Sequence, residues 1–389
     1  MTSARIDRRS LLAASAAATT LPLLSTDRRH SAAAEEGPLH GMNVLLFMTD
    51  QQRATMHFPA GWEEAHMPGL TRLKQHGLSF EQATCNTCMC SPSRATLMTG
   101  LFPAQHGVKY CLEANMPSPQ YPQVEMPLDL DNIATVLAAA GYATPYKGKW
   151  HCTKAAAVNT SPAKMPPCTP DEGWVPEDVN KYGFQRWNPQ DAGANQFICQ
   201  AGGGTVDNDG RFMTDDGDPD VGKEGALSYL KSQAAREQPF FLTVSLVNPH
   251  DVLAYPAGFS AFGYDDSWLA STGIELPATV DEDLATKPSA QQQFQKLTTP
   301  MRPSSADQQR NYLNFYGNLI KASDAYLVQI LDTLQAEGLL ENTLIIYTSD
   351  HGEMGMTHGG QIQKNFNVYE ETLRVPLVYS NPNLFPRPV

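Results

Sequence analysis

Asn43-Val44-Leu45-Leu46-Phe47-Met48 is an unbroken apolar run that ends at once in Thr49-Asp50-Gln51-Gln52. A strand with one wet face alternates polar and apolar residues, whereas a strand without alternation is buried on both sides. Residues 240–247 repeat the pattern and lead into Asn248-Pro249-His250, and residues 343–348 lead into Ser349-Asp350-His351-Gly352. Residues 375–379 form a further short strand. Helical stretches lie between: 68–75 with Leu70 and Leu73 inward, 131–140 with Ile133, Val136, Leu137 and Ala140 on one face, 222–235, and 306–337. Such alternation predicts an α/β fold, a mostly parallel central sheet flanked by helices on both faces. The polar clusters then fall at the carboxyl edge of the sheet, where folds of this kind keep their sites.

At 389 residues the chain can build one large α/β domain, or one large and one small. A net charge of −13 argues against nucleic acid or an anionic membrane surface as partner, although a locally basic pocket can still hold an anion. Arg8-Arg9-Ser10-Leu11-Leu12 opens an alanine-rich stretch that reaches Ser31-Ala32-Ala33-Ala34. Residues 1–36 are expected to be a twin-arginine-type signal for export to the periplasm or beyond; a Sec signal and a disordered basic tail are the alternatives. The stretch is too short and too poor in large apolar residues to anchor in a membrane. The remainder, 40–389, is expected to be one catalytic domain. Residues 154–222 and 255–303 are irregular and suited to loops over a pocket. Asp207, Asp209, Asp215, Asp216, Asp218 and Asp220 crowd the first; they are read as a solvated loop rather than a calcium loop, because the spacing does not fit an EF-hand.

Cys90-Ser91-Pro92-Ser93-Arg94-Ala95-Thr96-Leu97-Met98-Thr99-Gly100 places a cysteine just before a helix N-terminus. Pro92 suits the first turn, Ala95, Leu97 and Met98 favour helix, and Gly100 can stop it. Unpaired N–H groups and the macrodipole favour an anion there, and Arg94 lies about one turn on. A nucleophile beside a fixed guanidinium suits an oxyanion ester; a buried cysteine before an ordinary helix is the bland alternative. Asp50-Gln51 and Asp350-His351 offer hard oxygen ligands for a divalent cation, or else turn and capping chemistry. Gly148-Lys149-Trp150-His151 follows the strand-like 142–146. Lys364 follows His358-Gly359-Gly360. Alone, Lys364 reads as a surface charge and His250 as a satisfied core histidine. Cys85, Cys88 and Cys90 form a C-x-x-C-x-C cluster open to metal or redox readings.

Taken together, in this order, the five elements between Met42 and Tyr379 resemble the type I, formylglycine-dependent sulfatases of the alkaline phosphatase superfamily. The resemblance implies that Cys90 is oxidised to formylglycine by a formylglycine-generating enzyme. It implies a divalent cation, calcium first with magnesium or manganese open, held by Asp50, Gln51, residue 90, Asp350 and His351. Gln51 and His351 depart from the commoner Asp-Asp and Asp-Asn, and imidazole is softer than calcium usually takes. Arg94 and Lys149 would bind sulfate oxygens, His151 would assist the aldehyde hydrate, and His250 with Lys364 would meet the leaving oxygen. The His358-to-Lys364 spacing is one residue longer than the common pattern. Tyr369, Glu371 and Arg374 are read as structural. With Cys90 converted, six cysteines remain, enough for up to three bridges. The family's small C-terminal domain is expected to be absent or truncated. The expected reaction is hydrolysis of a small-molecule or carbohydrate sulfate ester to alcohol and inorganic sulfate. The rivals are a phosphonate monoester or phosphodiester hydrolase of the same superfamily and a non-catalytic secreted binding protein with a relic site. The alcohol half of the substrate and the oligomeric state are not legible.

Overall fold

In the computed structural model, residues 41–112, 123–154, 175–194 and 198–389 are described. The expected signal segment, Cys168 and Trp174 lie outside them. The apolar run at residue 43 becomes β1 (Asn43–Asp50), the centre of the sheet. It pairs in parallel with β4 (Phe241–Pro249) on one side and β5 (Thr343–Ser349) on the other. β3 (Tyr146–Gly148) runs parallel beyond β4. β6 (Leu377–Ser380) is antiparallel to β5, and β2 (Gly77–Ser79) is antiparallel to β6. The order is β2-β6-β5-β1-β4-β3, so β6 alone runs against the others.

Alternate residues of each central strand enter different layers, which is why the run shows no alternation. Leu45, Phe47, Leu242, Val244, Leu246, Ile345 and Tyr347 join the layer under the helices Pro68–Gln75, Ala226–Lys231 and Ala306–Ala336. Leu46, Met48 and Phe241 join the opposite layer under Cys90–Thr99 and Ile133–Ala139, with Tyr146, Trp150, Phe184 and Trp187. Each large side chain so buried contributes roughly 1.5–3 kcal/mol. Among the described residues no helix is long and apolar enough to cross a membrane.

Several expectations change. Residues 222–235 give two short helices, Ala226–Lys231 and Ala234–Glu237, because Ser232 is extended between them. The helix at 131–140 is Ile133–Ala139, and its inward residue is Ala134, while Val136 is 58% exposed. Asn132 sets that rotation: its side chain caps Ala134 N and Thr135 N and also donates to Tyr182 O at 3.0 Å. A single residue, His76, separates Pro68–Gln75 from β2, whose three residues are too few to show a period. No bridge forms among the six described cysteines; Cys85 and Cys88 instead meet the carbonyls of Thr372 and Asn367. Asp209 is not solvated. It is buried and accepts Val247 N at 2.6 Å and Asn248 N at 2.9 Å, fixing the end of β4.

The register aligns the carboxyl ends. Asp50 lies opposite Pro249, and Thr49 opposite Ser349. At Gly148 the backbone has φ +111°, and a Cβ would sit 2.0 Å from Ser245 O. Gly148→Ala is expected to cost on the order of 3 kcal/mol, read by urea unfolding; an unchanged midpoint would contradict that packing. Burial pushes Asp209 up to about 7, against the hydrogen bonds from Val247 and Asn248. The folded state therefore keeps a proton that the unfolded chain has lost between roughly pH 4 and 7, and the stability from this group falls as pH rises through that window. Asp209→Asn should show a shallower decline of Tm across that range than the parent.

Candidate active site

Cys90 is the first residue of the helix Cys90–Thr99, one position further in than the sequence suggests. Its Sγ lies 3.2 Å from His351 Nε2 and 3.8 Å from Asp50 Oδ1. Ligand atoms of Asp50, Cys90, Asp350 and His351 all fall within 4.8 Å of one another, and all four residues are buried. His351 Nδ1 is 3.0 Å from Gly352 O, a group that only accepts, so Nδ1 carries the proton and the Nε2 lone pair faces the cluster. Gln51 enters through its backbone N–H, which meets Asp350 Oδ1 at 3.2 Å, with φ +68° at Gln51. Two carboxylates, the Cys90 sulfur and an imidazole, all buried, fit a divalent cation.

Arg94 is fully buried and makes four hydrogen bonds. Nε donates to Asp350 Oδ2 at 2.9 Å, Nη2 to Asp50 Oδ2 at 3.2 Å, and Nη1 to Lys149 O at 2.9 Å and Ser245 Oγ at 2.8 Å. A guanidinium has five N–H donors, so one on Nη2 stays uncommitted among the described residues. Lys149 Nζ is 2.5 Å from Asp50 Oδ2 and donates to Gly193 O at 2.7 Å. Lys364 Nζ donates to Gln51 Oε1. His250 is buried and hydrogen-bonded to Cys90. His151 is held differently. Its N–H meets Asp191 Oδ2 at 2.7 Å, its Nε2 is 2.9 Å from Leu112 O, and φ is +52°. Its buried Nδ1 has no partner among the described residues.

The charges are strongly coupled. A hydrogen bond with Cys111 pulls the Cys90 thiol well below its ordinary value; burial opposes this, and Lys149 and Lys364 add to it. Burial and Cys90 disfavour a charged Asp50, yet Lys149, His250 and Arg94 outweigh them and hold it below the usual range. Burial and Asp50 push Asp350 up. Burial alone would lower Lys149 and Lys364, but Asp50 and Cys90 raise both, so both are ammonium groups. Burial, Lys364 and Lys149 bring His250 down to about 4. Three fixed cations around two carboxylates leave the pocket ready for an anion.

Four neighbours carry no sequence signal of their own. Asp191 accepts Trp150 N at 2.8 Å and His151 N at 2.7 Å, yet it sits in an irregular stretch. Ser245 hides inside an apolar strand. Cys111 reads only as a bridge candidate, and Glu353 only as part of a run. Cys90, Asp50, Asp350, His351 and both lysines, by contrast, come together from elements far apart in sequence.

The Sulfatase family profile matches residues 42–388. The ulvan-active sulfatase of Formosa agariphila is 26% identical over 345 residues, covering 88% of this chain and 56% of that protein. Arylsulfatase K of Bos taurus is 26% identical over 385 residues, covering 96% of this chain and 64% of the relative. The chain thus spans less than two thirds of the length of these relatives. In fold it is similar to the crystal structure of the phosphonate monoester hydrolase of Agrobacterium radiobacter, with TM-score 0.53 and 21% identity over 88% of this chain and 68% of that one. On the profile match across nearly every described residue, the chain belongs to the sulfatase family, within the alkaline phosphatase superfamily.

Proposed function

We propose that the protein hydrolyses a sulfate ester to an alcohol and inorganic sulfate, with residue 90 as the reacting group. The observation that carries this reading is the position of Cys90, in contact with His351 and Asp50 and ringed by Arg94, Lys149 and Lys364. A thiolate there would leave a sulfated product with no easy exit. Conversion to formylglycine by a generating enzyme would supply an aldehyde hydrate: one hydroxyl would bond to sulfur as the S–O bond to the alcohol breaks, and loss of the second hydroxyl's proton would re-form the aldehyde as sulfate leaves. A divalent cation, calcium by preference, would be held by Asp50, Gln51, residue 90, Asp350 and His351, and would acidify a hydroxyl and neutralise oxyanion charge.

The chain's own residues then divide the work. Lys149 and the uncommitted N–H of Arg94 hold sulfate oxygens in fixed positions, which is where preorganised charge acts best. His151 takes up a proton at Nδ1, its one ring nitrogen without a partner. His250 is neutral near pH 7 in the free protein and donates a hydrogen bond to the leaving oxygen; a bound anion opposes the two lysines that depress it. Lys364 shares that task. The substrate is a small-molecule or carbohydrate sulfate, as the ulvan and aryl names of the relatives suggest. Export through the twin-arginine route, read from residues 1–36, would let modification precede translocation.

The phosphonate monoester hydrolase fold neighbour makes a phosphodiesterase the second reading. Parallel assays decide between them. An aryl sulfate is expected to be turned over faster than the matching aryl phosphodiester, and the reverse order overturns the sulfatase reading. Cys90→Ala should abolish turnover while leaving the circular dichroism spectrum unchanged. Mass spectrometry of the peptide carrying residue 90 should find the aldehyde; a plain thiol in native, inactive protein would favour a relic binding site.

A further inference from the structure

Gln51 is an unusual group to aim at a cation. Its amide has one end that accepts and one that donates, nearly equal in shape, and only the oxygen can ligate. Something must hold the correct end forward. The main chain of Gln51 is already fixed, since its carbonyl accepts Tyr316 Oη at 2.7 Å and its N–H meets Asp350. The remaining freedom is the amide flip.

We infer that Glu353 is a positioning residue that sets this flip. Its Oε2 accepts Gln51 Nε2 at 2.5 Å. Its other oxygen is held by three donors from three places: Tyr312 Oη at 2.6 Å, Gln363 N at 2.9 Å and Gly355 N at 3.2 Å. Glu353 N in turn donates to Glu371 O at 2.9 Å. The carboxylate is fully buried and cannot turn away. With three donors on its other oxygen, Oε2 is left to accept from Gln51, so the NH2 of Gln51 points back at Glu353 and the carbonyl oxygen points the other way. Lys364 independently selects the same orientation, because its ammonium only donates and it meets Oε1. The acceptor at 353 is thus the counterpart of the amide at 51, and its bond to Gln363 N also reaches the residue next to Lys364.

The inference rests on reading Gln51 as a cation ligand, and its test can be read without catalysis. In Glu353→Gln the three donors keep the amide oxygen on their side. The new NH2 then faces Gln51, donor against donor, and Gln51 turns its own oxygen away from the cation. Calcium affinity, measured by titration calorimetry on the purified, chelator-stripped full chain, should fall roughly 10–100-fold. The reciprocal pair Gln51→Glu with Glu353→Gln restores a donor facing an acceptor and should recover the parent affinity. Gln51→Glu alone sets two carboxylates against each other and should not. Unchanged affinity in Glu353→Gln, or a reciprocal pair as weak as the single variant, overturns the inference while leaving the cation site standing. A parent chain that binds no calcium, magnesium or manganese overturns both. Should Glu353→Gln fail to fold by near-ultraviolet circular dichroism, binding by the reciprocal pair decides for the inference and its absence decides against.

Discussion

One guanidinium ties the site together. Arg94 reaches the carboxylates that end β1 and β5, the carbonyl of Lys149 just after β3, and the hydroxyl of Ser245 within β4. Four strands are therefore joined at their carboxyl ends by one planar group that cannot lose its proton. Burying such a charge is costly unless every donor is matched, and breaking a buried pair from one side strands the other charge. The matching here comes from both carboxylates at once. The cluster that would hold a cation and the frame that holds the sheet ends in register are consequently one structure.

That coupling explains the electrostatics. Asp50 stays ionised because it faces Lys149 and Arg94, whereas Asp350 is pushed up by burial and by Asp50. Two carboxylates a few ångströms apart thus differ in proton affinity because of what surrounds each one. His250 and His351 differ in the same way. The first faces Lys364 and Lys149 and is lowered, and the second faces Asp350 and Cys90 and is raised. Each of these assignments needs the folded neighbourhood, since the residue types alone give no hint of it.

The sequence shows the sheet well because burial on both faces erases alternation, which made β1, β4 and β5 visible with edges off by one or two residues. It missed β2, whose three residues carry no period, and in the helix Ile133–Ala139 it placed Ile133 and Leu137 inward correctly but Val136 too, where Ala134 is the buried residue and Val136 is exposed. The residues proposed for the chemistry were legible because they sit in short runs directly after strands or at a helix start. Their supports were not. Asp191 reaches the amide of His151, 40 residues away, and Glu353 reaches the side chain of Gln51, 302 residues away, and distance along the chain leaves no local mark.

The central pairing has a consequence for how the chain acquires its shape. β1 is complete at Asp50, but one of its two neighbours ends at Ser349, and the hydrogen bond from Gln51 to Asp350 spans 299 residues. Contacts so remote in sequence slow folding, because a long loop must close before any of them forms. During synthesis the middle strand of the sheet stays bare on one edge until Ser349 has been made. A ribosome that stalls before residue 349 would release a chain with a strongly apolar, unpaired edge, a natural client for a chaperone.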